Sequence, residues 1–151
     1  NAGPLTAENR RLPLVFMQKT HRDNSGRSEI TGVIGEIQHR RAIVLDDEID
    51  TGTTIVNTIT VLQEHGVREI FVGCMHPTLS GNAAERICDS GIVELVTTDS
   101  VPFRPSSRAL DKIRVLTVAP LFGEAIRRIH EGESVGQLFD QRGSQLPLHV
   151  T

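Results

Sequence analysis

With 151 residues and a formal net charge of −3, the chain is one domain's worth of sequence, long enough to bury a core and lacking the basic excess of a nucleic-acid binder. Aromatic residues make up 3%, with neither Trp nor Tyr, which argues against base stacking on single strands and leaves the core to Ile, Val, Leu and Ala. No apolar run is long enough to span a bilayer and no signal peptide opens the chain, so a cytoplasmic protein with no membrane and no nucleic-acid partner is expected.

In chain order, LPLVFM (12–17) reads as a buried strand. The polar segment KTHRDNSGRSE (19–29) contains Gly26 and reads as a mobile loop. ITGVIGEI (30–37) is expected to form a short or edge strand, and AIVL (42–45) a buried one. Residues 53–65 place Ile55, Val56, Ile59 and Leu62 on one helical face, and Gly66 closes that helix. EIFVGCM (69–75), VELVTT (93–98) and IRVLTVA (113–119) read as further strands. Between them, Ser80 is placed to cap a helix running through Ala83, Ala84 and Ile87 to about Ser90. The pattern over 121–130 is helical and stops at Gly132, while 102–112 is a Pro/Ser/Arg loop. Cys74 and Cys88 show no zinc-site spacing and are expected to be reduced, buried thiols. Strand–helix alternation with β-branched runs predicts an α/β domain: a mainly parallel sheet flanked by helices.

The segment VLDDEIDTGTTI (44–55) stands apart. Asp46, Asp47, Glu48 and Asp50 crowd the end of a predicted strand, where ligands of parallel sheets bind. Then Gly52 and the hydroxyls of Thr51, Thr53 and Thr54 open a helix, whose first amides are unpaired donors suited to a phosphate. Carboxylates repel phosphate, so their partners are sugar hydroxyls or hydrated Mg2+. A sugar phosphate satisfies both halves. Two other patterns compete with it. A capping turn at Asp50 or Thr51 needs one such residue rather than four acids and three threonines. The DDxxD pattern of prenyl-diphosphate synthases belongs on a long helix, which AIVL before it and Gly52 after it oppose.

This segment resembles the phosphoribosyl-diphosphate-binding motif of the type I phosphoribosyltransferase fold, a hydrophobic pair followed by DDxxDTGGT. Three more segments are similar to those of the ribose-phosphate pyrophosphokinase family: MHPTLSGNAAERI (75–87) to HPxxSGxAxERI, ELVTTDSVP (94–102) to ELVVTDTIP, and VAPLFGEAIRRIHEGESVGQLF (118–139) to the family's C-terminal helix and ending. The resemblance implies transfer of the β,γ-diphosphoryl group of Mg-ATP to ribose 5-phosphate, giving phosphoribosyl diphosphate and AMP. By it, Asp50, Thr51, Gly52, Thr53 and Thr54 cradle the 5-phosphate, and Asp46 and Asp47 face the ribose hydroxyls and Mg2+.

The family's KxR loop maps to KTHR, which makes Lys19 the catalytic lysine. His21 stands at the arginine position and Arg22 follows as the other catalytic candidate. The pattern departs at Thr53, where the family has a second glycine, and at His39, where it has a glycine before the acidic strand. His76 is a candidate to line the cleft, whereas His130, Arg127 and Arg128 read as a helix surface.

The resemblance covers about 12–139 and leaves out the family's first half, with most of its ATP-binding residues, and a PDxGG-like strand and loop. A fragment is therefore expected: a phosphoribosyltransferase-like domain over 1–139 and a flexible tail over 140–151. Ribose 5-phosphate, ATP through the absent half, and further copies of the chain are the implied partners. The fragment alone is expected to be inactive. The alternatives are a non-catalytic phosphoribosyl-ligand-binding or regulatory module, and a nucleobase phosphoribosyltransferase, for which no base-binding hood is visible.

Overall fold

Apolar runs separated by glycine-containing turns set the element order: β1 (Phe16–His21), β2 (Ser28–Ile34), β3 (Arg41–Glu48), α1 (Thr53–Glu64), β4 (Glu69–His76), α2 (Ala83–Asp89), β5 (Glu94–Thr98), β6 (Ile113–Leu116), α3 (Ala119–Glu131) and α4 (Gln137–Asp140). The computed structural model describes residues 15–21, 28–35, 37, 40–103, 109 and 111–140. Strands β3-β4-β5-β6 form a parallel sheet in that spatial order. Val44 pairs with Val72, Val72 with Leu95 and Leu95 with Ile113, so one apolar row crosses the sheet. Ile55, Ile59 and Leu62 of α1 and Ala83, Ala84 and Ile87 of α2 pack on that row with Ile70, Val72 and Cys74 in one buried cluster. The α/β architecture read from the sequence is the one observed, and both cysteines are buried free thiols whose pKa burial pushes up.

On β3 the period of two is visible in burial. Ala42 and Val44 pack against the core, while Ile43 and Leu45 stand exposed on the opposite face. Helix α3 buries no side chain among the described residues, and its Phe122, Ile126 and Ile129 are also exposed. No helix among the described residues is long and apolar enough to cross a membrane.

Several boundaries differ from the sequence reading. Strand β3 does not stop at Leu45 but runs on through Asp46, Asp47 and Glu48, because pairing of Asp46 with Cys74 and Glu48 with His76 outweighs the weak strand propensity of acids. Lys19, Thr20 and His21 are strand rather than loop, as are Ser28 and Glu29. They pair antiparallel in a separate two-stranded sheet, where backbone bonding needs no apolar run. Strand β6 ends at Leu116 and α3 begins at Ala119, because Pro120 fits a first helical turn, where its missing N–H is no loss. The residue before α2 is Asn82, and Ser80 contributes its carbonyl, accepting from Ala83 N at 3.2 Å, rather than a side-chain cap. Asp140 belongs to α4, so helix occupies the first position assigned to the tail; the expected tail from 141 onward lies outside the described residues.

The carboxyl end of α3 is held by charge. Glu124 accepts from Arg127 Nη2 at 2.8 Å and from Arg128 Nε at 2.7 Å, and Arg127 also reaches Glu131. Arg127, first, and Arg128 pull the Glu124 carboxyl down to about 2. A depressed carboxyl stabilises the fold above its ordinary value of 4.5, and that contribution is lost as pH falls through about 2. We expect Glu124→Gln to flatten the acid limb of helix content between those two values, read by circular dichroism against the unsubstituted chain. Superimposable limbs would show that the network does not hold the helix.

Candidate functional site

The site begins where β3 runs out. Ile49 turns inward and is 2% exposed, which leaves its acidic neighbours at the surface around a buried anchor. The loop after β4 fixes the backbone here: Ile49 N donates to His76 O at 3.2 Å, Leu79 N to Ile49 O at 2.9 Å, and Ser80 N to Asp50 O at 3.0 Å. Leu79 takes a left-handed conformation, φ 44°, to make this return.

Gly52 precedes α1 at φ 71°, ψ 0°, and is buried. Val56 N donates to Gly52 O at 3.0 Å, starting the helix ladder. No side chain caps α1 and its first turn carries no acid, so neither Asp50 nor Thr51 acts as its capping residue. The donor end of the helix dipole is thus turned to whatever binds beside it. Thr51 Oγ1 lies 3.4 Å from Thr53 Oγ1, which sets two hydroxyls side by side.

An open depression of about 450 Å³ is lined by residues 46–55. It gathers Asp46, Asp47, Asp50, Thr51, Gly52, Thr53 and Thr54. It also includes Glu48, read from the sequence only as one of four crowded acids, and Ile49, to which the sequence gives no role. Glu48 Oε1 accepts from Thr78 Oγ1 at 3.1 Å, a contact from the end of β3 to the loop after β4, 30 residues on, that no local signal announces. Asp47 N donates to Asp46 Oδ1 and Glu48 N to Asp47 Oδ1, each at 3.1 Å. The Asp46 carboxyl, first, then the amides of Asp47 and Glu48, hold the Asp47 carboxyl below the ordinary carboxylate range. An ionised Asp47 accepts hydroxyl donors or ligates a hard cation.

His76 ends β4, and its Nδ1 lies 2.9 Å from Ser100 Oγ; it is not among the lining residues. Lys19 lies in β1 opposite Ile30, next to a register shift at Gln18/Lys19. Arg22 lies outside the described residues. Among the described residues no three His, Cys, Asp or Glu converge as a metal cage. Mg2+ does not need one: it keeps several waters and binds through one or two carboxylates plus substrate oxygens. The oxygen-only acidic end of β3 fits that demand.

A parallel sheet whose acidic strand end passes directly into a glycine–threonine helix start is a fold of the type I phosphoribosyltransferase class. The family model described as "Phosphoribosyl synthetase-associated domain" matches residues 14–140. The chain is 44% identical over 133 residues to a ribose-phosphate pyrophosphokinase of Caldanaerobacter subterraneus subsp. tengcongensis, covering 88% of this chain and 42% of the relative. It is 46% identical over 134 residues to that of Oceanobacillus iheyensis, covering 89% and 42%. The crystal structure of phosphoribosylpyrophosphate synthetase from Mycobacterium smegmatis superposes with a TM-score of 0.70 at 27% identity, covering 87% of this chain and 42% of that one. The chain belongs to the ribose-phosphate pyrophosphokinase family. It spans 42% of the length of these relatives.

Proposed function

We propose that the chain is the ribose 5-phosphate-binding part of a cytoplasmic, homo-oligomeric ribose-phosphate pyrophosphokinase. The observation that carries this is the uncapped start of α1 directly after the acidic end of β3. In this reading the 5-phosphate rests on the amides opening α1 and on the hydroxyls of Thr51, Thr53 and Thr54, with Asp50 beside them. Asp46 and Asp47 accept from the ribose hydroxyls and hold Mg2+, which when bound neutralises charge on the transferred group. Lys19 and Arg22 meet the diphosphoryl group, and ATP binds through parts of the parent enzyme outside this chain. The C1 hydroxyl oxygen of ribose 5-phosphate forms the new bond to the β-phosphorus of ATP. The bond from that phosphorus to the bridging oxygen breaks, AMP leaves with the electron pair, and the hydroxyl proton passes to solvent. Such a transfer is positioning and charge neutralisation. Because ATP binds outside this chain in this reading, the chain alone, which spans 42% of its relatives' length, is a binder without turnover.

The test is calorimetric titration of ribose 5-phosphate with Mg2+, with AMP release from ATP followed in parallel. We expect saturable binding, affinity lowered about a hundredfold in a Thr51→Ala, Thr54→Ala double variant, and no AMP from the isolated chain. A folded chain that takes up no ribose 5-phosphate would overturn the assignment of the cradle. Sustained AMP formation would overturn the inactivity of the piece.

A further inference from the structure

We propose that Arg86 is a positioning residue for the sugar phosphate: it turns the Thr51–Gly52 peptide so that the N–H of Gly52 faces the ligand. This rests on the ribose 5-phosphate reading above and adds a residue from outside the loop.

Arg86 lies on α2, 35 residues along the chain from Thr51, and its Nη1 donates to the Thr51 carbonyl at 3.3 Å. There is no cis peptide bond among the described residues, and in a trans peptide the carbonyl and the following N–H point in opposite directions. Drawing the Thr51 carbonyl toward α2 therefore directs the Gly52 N–H away from α2, and Thr51, Gly52 and Thr53 all line the depression.

Helix α2 is a firm base for this pull. A Cβ placed on Gly52 would stand 3.0 Å from Ile87 Cδ1 and 3.5 Å from Ala83 Cβ, so the glycine rests directly on the helix. Ala83 and Ile87 are both 0% exposed, and Arg86 lies between them in sequence, on the exposed flank. Glycine is also what makes the lock necessary. It tolerates either hand of backbone, so the peptide before Gly52 can turn over at little conformational cost. With the carbonyl turned to Arg86, an amide donor meets the phosphate; with the carbonyl turned to the ligand, a partial negative charge meets a negative group. Arg86 selects the first arrangement before the ligand arrives.

The experiment uses the full chain, with ribose 5-phosphate and Mg2+ as the probe. Calorimetry gives the affinity, and the 15N resonance of Gly52 reports that amide directly. Arg86→Ala is expected to weaken binding about tenfold. It should also shift the Gly52 resonance before ligand is added, and remove most of its downfield movement on saturation. Arg86→Lys, which can donate to the same carbonyl, should recover most of both. Arg86→Met, which keeps the aliphatic stem, replaces the alanine variant if that one melts early. Unchanged affinity and an unmoved Gly52 resonance in the neutral variants, beside a binding parent chain, would overturn the role of Arg86 and leave the site standing. Equal losses in the lysine and neutral variants would overturn it too. If the unsubstituted chain takes up no ribose 5-phosphate, the site assignment falls, and this proposal with it.

Discussion

Gly52→Ala should destabilise the chain by about 2–3 kcal/mol and remove its affinity for ribose 5-phosphate. Two costs combine. At φ 71° an L-residue with a Cβ is strained, by about 1–2 kcal/mol. The new methyl would also meet Ile87 Cδ1 at 3.0 Å, tighter than an ordinary contact, so either the side chain shifts or the loop lifts. A lifted loop carries the amides opening α1 away from the ligand. Urea unfolding measures the first effect and titration the second. An alanine variant as stable as the parent, with intact binding, would mean that the loop does not need this backbone conformation.

The second large effect is expected beneath the loop. Ile87 is 0% exposed and closes the space under Gly52, so Ile87→Ala removes buried methylenes and leaves a cavity, at about 3 kcal/mol. Affinity for ribose 5-phosphate should fall as well, although Ile87 is not a lining residue. The pair can be tested as a unit. Ile87→Val removes the Cδ1 atom that a residue-52 methyl would strike. Gly52→Ala in that background should therefore cost less than in the parent, by about 0.5–1 kcal/mol, as unfolding free energies of the double-mutant cycle would show. Strict additivity would place none of the cost of Gly52→Ala in the Cδ1 contact, leaving backbone strain and Ile87 Cγ1, 3.1 Å from the same point and kept by valine.

Features confined to a few neighbouring residues are legible in the sequence. The buried face of α1 at Ile55, Ile59 and Leu62 and the apolar run of β4 follow from periodicity alone. The lining of the depression was legible for the same reason, because it is drawn from one short segment. Long-range effects were not. Asp46, Asp47 and Glu48 carry no strand signal, and only pairing with β4 extends the strand through them. The polar run from Lys19 to His21 reads as loop until β2 pairs with it. Thr78 on Glu48 and Arg86 on Thr51 join positions 30 and 35 apart, which no window of sequence brings together.

The ten residues that line the depression are consecutive, 46–55. The order and spacing of the lining groups are therefore set by the chain's length count, while distant parts of the molecule hold the segment in place. A deletion of one residue between Glu48 and Thr53 would not trim the site but put every later group out of phase with the sheet, turning Ile49 outward or pulling Gly52 off α2. Conversely, the segment is a portable cassette. Grafted between another parallel strand and its following helix, it would need a pocket for Ile49, an apolar seat like Ile87 and Ala83 under Gly52, and donors for the carbonyls of Ile49, Asp50 and Thr51 to keep its shape.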